Sequence, residues 1–130
     1  MEEDGTVQRW PAGAPGRSRV VRHAGLVWTV ANARTPFASF DEQVSQSLAT
    51  LEAHLAESGS ARTPVLSLQV LLADIGRHAE FDRAWNDWIG PDPRHWPQRA
   101  CFQAALAPGL DIELIATAAA ASAPLMSESP

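Results

Sequence analysis

Three side chains near the C-terminal end carry the densest chemistry in the chain: Arg99, Cys101 and Glu113. Arg99 and Cys101 lie in the run RACFQ, and Glu113 lies in DIELIA, beyond a Pro108-Gly109 turn. A guanidinium keeps its charge and pairs in a planar fork with carboxylates. A carboxylate in a partly apolar cleft can exchange protons near neutral pH. A thiol becomes a nucleophile only beside an activating base. The runs flanking Pro108-Gly109 alternate in character, which predicts two antiparallel strands joined by a tight connection. Side chains alternate along a strand, so Arg99, Cys101 and Gln103 share one face, and Asp111, Glu113 and Ile115 share one face. If those faces coincide, cation, thiol and carboxylate point into one space.

Each residue also has an ordinary reading. Arg99 can sit in a surface ion pair, and Glu113 can be a solvated position between Ile112 and Leu114. No His stands at a local spacing that marks it as a base for Cys101, so the thiol is expected to line a pocket. His23, His54, His78 and His95 are too scattered for a metal motif, and no metal is expected.

The 130 residues favour one domain over 1–130. Residues 1–18 form an arm rich in Gly, Pro and charge, and 120–130 a disordered tail. A net charge of −5 argues against a nucleic-acid binder. All ten basic residues are Arg, so no Lys is present to form a Schiff base. One cysteine rules out an internal disulfide or a cysteine-rich zinc site. The acidic MEEDGTVQRW start has no apolar signal core, and no run reaches the roughly 18 apolar residues of a membrane span. A cytoplasmic location without membrane contact is the resulting expectation.

The elements that must position these residues follow from the pattern. A short strand is expected at Thr6 to Trp10, then a hairpin of Arg19 to His23 and Leu26 to Asn32, turning at Ala24-Gly25. Ser39 and Glu42 form a capping box at a helix start. Phe40, Val44, Leu48, Leu51 and Leu55 make its apolar stripe, with Asp41, Glu42, Gln43, Ser47 and Glu52 outside it. Gly59 follows its end. VLSLQVLLAD reads as a buried strand with Leu66, Leu68, Val70 and Leu72 on one face, and Gly76 to Ile89 as a second helix buried through Phe81, Ala84, Trp85 and Trp88. The order predicts an α+β fold, a mixed sheet with two helices packed on one face. The other face stays half apolar, which points to oligomerisation and a site shared between subunits.

These segments together resemble the RidA/YjgF (Rid) family of small trimeric imine and enamine deaminases, over about residues 6–119. The specific part is RACFQAALAPGLDIELIA, similar to the family's run of Arg, small residue, Cys, a Pro-Gly turn and a Glu-bearing strand. GLVWTVAN, FDEQVSQSLATLEAHLAESG and VLLADIGRHAEFDRAWNDWI match in order and spacing. The resemblance implies a chorismate-mutase-like fold, a homotrimer and sites in inter-subunit clefts. It implies hydrolysis of a 2-imino or 2-enamino acid, such as 2-aminoacrylate, to a 2-keto acid and ammonia, with no cofactor. By position, Arg99 binds the substrate carboxylate, Glu113 positions or activates water, and Cys101 lines the pocket.

The chain departs from the family pattern at three places. Arg17 stands near the usual arm Tyr, Val30 and Ala31 stand at the Ser-Gly-Gln turn, and Ile115 replaces a second Glu. Arg17, Val30, Ala31 and Trp28 are therefore expected to line an altered substrate pocket. Two other outcomes keep the same pocket: an enzyme specialised for cyclisation or tautomerisation of a biosynthetic intermediate in secondary metabolism, and a ligand-binding homologue without turnover.

Overall fold

The hairpin forms where Ala24-Gly25 predicts it. In the computed structural model, which describes residues 5–121, Ala24 and Gly25 have φ of 53° and 81°. Two positive φ values in a row make a tight turn whose twist matches the flanking strands. Those strands are β2 (Ser18–His23) and β3 (Leu26–Asn32). Before them runs β1 (Gln8–Pro11), two residues later than expected. After them come α1 (Phe40–Glu57), β4 (Val65–Leu72), α2 (His78–Ile89), β5 (Gln98–Gln103) and β6 (Ile112–Ala119). Short 3-10 turns, Ile75–Arg77 and Pro93–His95, lead into α2 and β5.

The six strands form one sheet in the order β1-β2-β3-β6-β4-β5. The expected hairpin of β5 and β6 does not exist. Among the described residues β5 pairs only with β4, in parallel, and β6 lies between β3 and β4, antiparallel to both. A parallel pair needs a crossover, and α2 supplies it, returning the chain beside β4. The edge on the far side of β4 is thereby taken, so the chain after Gln103 passes back to insert β6 between β3 and β4.

Both helices pack on one face, as the α+β pattern requires. Ile112, Leu114, Ala116 and Ala118 of β6 are buried beneath them, with Leu68, Val70 and Leu72 of β4. Leu66 is an exception to its expected face and is 50% exposed. The register of β4 against β6 shifts between Val65 and Ser67, and such a bulge turns the extra residue out of the alternation. The second helix starts at His78, because Ile75–Arg77 is taken up by a 3-10 turn capped by Asp74.

Gln43 and Ser47, expected outside the apolar stripe of α1, are fully buried. Gln43 has a reason to be inside. Its Nε2 donates to the carbonyls of Ala38 (3.0 Å) and Gly109 (2.9 Å), and its Oε1 accepts from the Asp111 amide (2.8 Å). One amide side chain thus seats the loop that leads into β6, satisfying backbone groups that burial would orphan. At the far end, Ala120 and Ala121 donate to the carbonyls of Gly25 and Gly59. The rest of the expected tail lies outside the described residues. Among these residues no helix is long and apolar enough to cross a membrane.

Candidate active site

Strand parity separates Arg99 and Cys101 from Glu113. Arg99 pairs in register with Leu68, and Cys101 with Val70, both fully buried. Register partners share a face, so Arg99 and Cys101 point to the helix side. Glu113 pairs with Asn32 and Leu71, and alternates with the buried Ile112 and Leu114. It points to the open side. The expectation that all three enter one space fails within a single chain: β4 stands between β5 and β6, and the side chains leave opposite faces. Two strand spacings put the β5 and β6 backbones roughly 10 Å apart.

On the helix side, Arg99 sits over the Phe81 ring, 5.6 Å from its centroid. Its Nη2 donates to Asp82 Oδ1 at 2.7 Å. The ordinary reading of Arg99 as an ion-paired residue therefore holds, but incompletely. Arg99 Nη1 is buried and has no hydrogen-bond acceptor among the described residues. Beside it opens a cleft of about 230 Å³ lined by Trp85, Asn86, Ile89, Trp96, Pro97 and Arg99. Trp96 is 56% exposed and anchored by its Nε1, which donates to the Gly90 carbonyl. The prolines around it stiffen this wall. Cys101 packs against the core from the same strand face. Burial pushes its thiol above the ordinary range, the Arg99 charge lowers it by less, and Asp82 adds to the rise. A thiol held protonated is a wall and not a ready nucleophile.

On the open side, Asn32 Nδ2 donates to Glu113 Oε1 at 2.8 Å. The cross-strand pair Val30 and Ile115 lies next along, and then Trp28 and Thr117. Trp28 is 40% and Val30 is 38% exposed. The open face thus presents one hydrogen-bonded carboxylate at the end of an apolar strip, with Leu71 and then Phe102 beside it across the sheet.

Trp28 and Val30 share the open face with Glu113, level with Thr117 and Ile115 of the same strand. Ala31 does not. It is fully buried toward α1, because it alternates with Val30 and Asn32, and only its backbone faces a neighbouring strand. Arg17 is exposed in the loop between β1 and β2. Sequence reasoning missed Asn32 and Asp82. Asn32 could have been found, since it ends β3 where a strand-end polar residue must meet its register partner. Asp82 carried no signal, being one more acid on the polar side of a helix.

The model of the Endoribonuclease L-PSP family matches residues 13–120. A RutC family protein of Haemophilus ducreyi is 34% identical over 79 residues, 60% of this chain and 66% of the relative. One from Haemophilus influenzae is 33% identical over 75 residues, 57% of this chain and 63% of its own length. The match thus spans just under two thirds of these relatives. Among solved structures, a YjgF-family protein from Neisseria meningitidis aligns with a TM-score of 0.83 at 28% identity, covering 93% of this chain and 100% of its own. An uncharacterized protein from Pseudomonas aeruginosa aligns at 0.80 and 29%, covering 89% and 100%.

Proposed function

The chain belongs to the Endoribonuclease L-PSP family, the YjgF/RidA group with its chorismate-mutase-like α+β fold, and on that premise we propose that it hydrolyses a small 2-imino or 2-enamino acid to a 2-keto acid and ammonia. The observation that carries this reading is Arg99 Nη1, buried without an acceptor at the edge of an aromatic cleft. An N–H left in that state costs roughly 1–3 kcal/mol, and a ligand carboxylate relieves it. The cleft volume, about 230 Å³, falls below the roughly 300–1,000 Å³ of drug-sized sites, which fits a small acid.

Water supplies the oxygen. Glu113, oriented by Asn32, takes a proton from water as it adds to C2 of the protonated imine. Glu113 returns that proton to the carbinolamine nitrogen; the C–N bond then breaks as the hydroxyl proton passes to Glu113 and on to solvent, releasing ammonia and the keto acid. Arg99 holds the substrate carboxylate throughout and keeps C2 in place. Because Arg99 and Glu113 leave opposite faces of the sheet, both can serve one substrate only if adjacent copies of the chain share the site, as in a homotrimer. The apolar strip of Trp28, Val30 and Ile115 is the surface such copies would cover.

The family description names an endoribonuclease, but this chain is poorly suited to a polyanion. It carries a net charge of −5, and Arg19, Arg62, Arg77, Arg94 and Arg99 are each already paired with a carboxylate. The test of the hydrolase reading is to generate imine with an amino-acid oxidase and follow its decay. Faster decay with the wild type, lost in Arg99→Ala, is expected. Equal decay with and without protein sinks the reading, and a keto acid bound at Arg99 without turnover marks a binding protein instead.

A further inference from the structure

The Arg99–Asp82 pair is unfinished on both sides. Arg99 Nη1 lacks an acceptor. Asp82 Oδ1 receives Arg99, but Oδ2 takes no hydrogen bond from the described residues. His78 Nδ1 lies 3.7 Å from Oδ2, beyond hydrogen-bond length. A donor and an acceptor that the described residues leave unused therefore belong to one ion pair. Asp82 is 36% exposed and the Arg99 side chain 26%, with Nη1 itself buried at the cleft edge. Asp82 also stands in the row of α2 that walls the cleft, three, four and seven residues before Trp85, Asn86 and Ile89.

A plain carboxylate suits this edge badly. It brings acceptors only, meets a guanidinium that Asp82 has half neutralised, and approaches a second negative charge. A ligand with a carboxylate and a protonated nitrogen on the neighbouring carbon engages both groups at once. We infer that Asp82 binds the protonated nitrogen of the substrate beside the carboxylate held by Arg99, so that the site selects 2-iminium acids over 2-keto acids. This rests on the reading of Arg99 as the carboxylate anchor. It gives the reaction a direction of release. Hydrolysis replaces the cationic nitrogen with a neutral carbonyl oxygen, which faces Asp82 as acceptor against acceptor, and the product is expelled.

Calorimetric titration separates the two groups. Alanine carries the carboxylate and the adjacent ammonium and cannot react; pyruvate carries the carboxylate alone. Wild type is expected to prefer alanine. Asp82→Asn should weaken alanine about tenfold or more and leave pyruvate equal or tighter, since a competing anion is gone. Asp82→Glu should keep the preference, and Arg99→Ala should lose both ligands. Unchanged melting of the variants shows that folding is not the cause. Loss of alanine and pyruvate together in Asp82→Asn overturns the proposal and leaves Asp82 as a support for Arg99. An unaltered preference in Asp82→Asn, or no binding by wild type, overturns it as well. An alanine preference that depends on Asp82, in a protein that does not speed imine decay, keeps the proposal and removes the hydrolase reading.

Discussion

The two polar pairs of the candidate site are built in opposite ways. Arg99–Asp82 joins the edge strand β5 to α2, and its walls are present in one chain: Phe81 beneath, Trp85, Ile89 and Trp96 around. Asn32–Glu113 joins two neighbouring strands on the face that the helices leave open, between the apolar strip of Trp28, Val30 and Ile115 and the side chains of Leu71 and Phe102. In the proposed reaction the first pair would serve recognition, and the second would supply a carboxylate whose remaining walls come from another surface. That reading puts recognition and chemistry on different sides of one sheet and makes bringing them together a task for assembly.

The largest expected effect lies on the open side. Glu113→Gln should lower kcat by about 10²–10⁴, the usual contribution of a positioned base, with KM little changed. Steady-state kinetics on oxidase-generated imine measures both. Arg99→Ala should act mainly through KM and lower kcat/KM about 10- to 100-fold, the worth of a charged hydrogen-bonding anchor. Its stability should change by no more than about 1 kcal/mol, because the pair it breaks is partly exposed. Refolding the two variants as a mixture, assayed at substrate far below KM where each alone is nearly silent, tests the comparison itself. If sites are shared, some interfaces combine an intact Arg99 with an intact Glu113, and activity returns to roughly a quarter of wild type by random assembly. No recovery would place both residues of a site in the same chain.

Gln43 separates the pairs in a different way. Gln43→Leu leaves the Ala38 carbonyl and the Asp111 amide without their partner, whereas the Gly109 carbonyl keeps the Phe37 amide. Urea titration should show a loss of about 1–3 kcal/mol. The loop it seats leads into β6, so kcat should fall with Glu113 displaced, and pyruvate binding at Arg99 should persist.

Local features were legible in the sequence, and neighbour relations were not. The Ser39 cap accepts from the Glu42 amide as the capping box predicts, and the Ala24-Gly25 turn forms as read. Both depend on residues within a few positions of each other. The β5–β6 hairpin was misread because two alternating runs around Pro-Gly look like a local pair, and nothing within them reports that β4 is the better partner for each. Burial of Gln43 was hidden for the same reason: it depends on a loop from the far end of the chain. Arg99 and Glu113 were recognised as chemical groups from their types, but their separation by the sheet follows only from strand order.

The smallest effect falls on Cys101, and its sign is informative. Alkylation requires the thiolate. Burial is the largest cause holding the Cys101 thiol above its ordinary range, so iodoacetamide should react slowly at pH 8 and accelerate only above the usual thiol region near 8.5. The two neighbours pull in opposite directions. Arg99→Ala removes the charge that favours the thiolate and should slow the reaction further, whereas Asp82→Asn removes the charge that opposes it and should speed it. Mass spectrometry of the modified peptide against pH reads both. Cys101→Ser should leave kcat/KM nearly unchanged, since a wall is replaced by a wall of similar size. A rate that instead collapsed with the serine variant would make the thiol a participant, and the helix-side cleft would then hold chemistry as well as recognition.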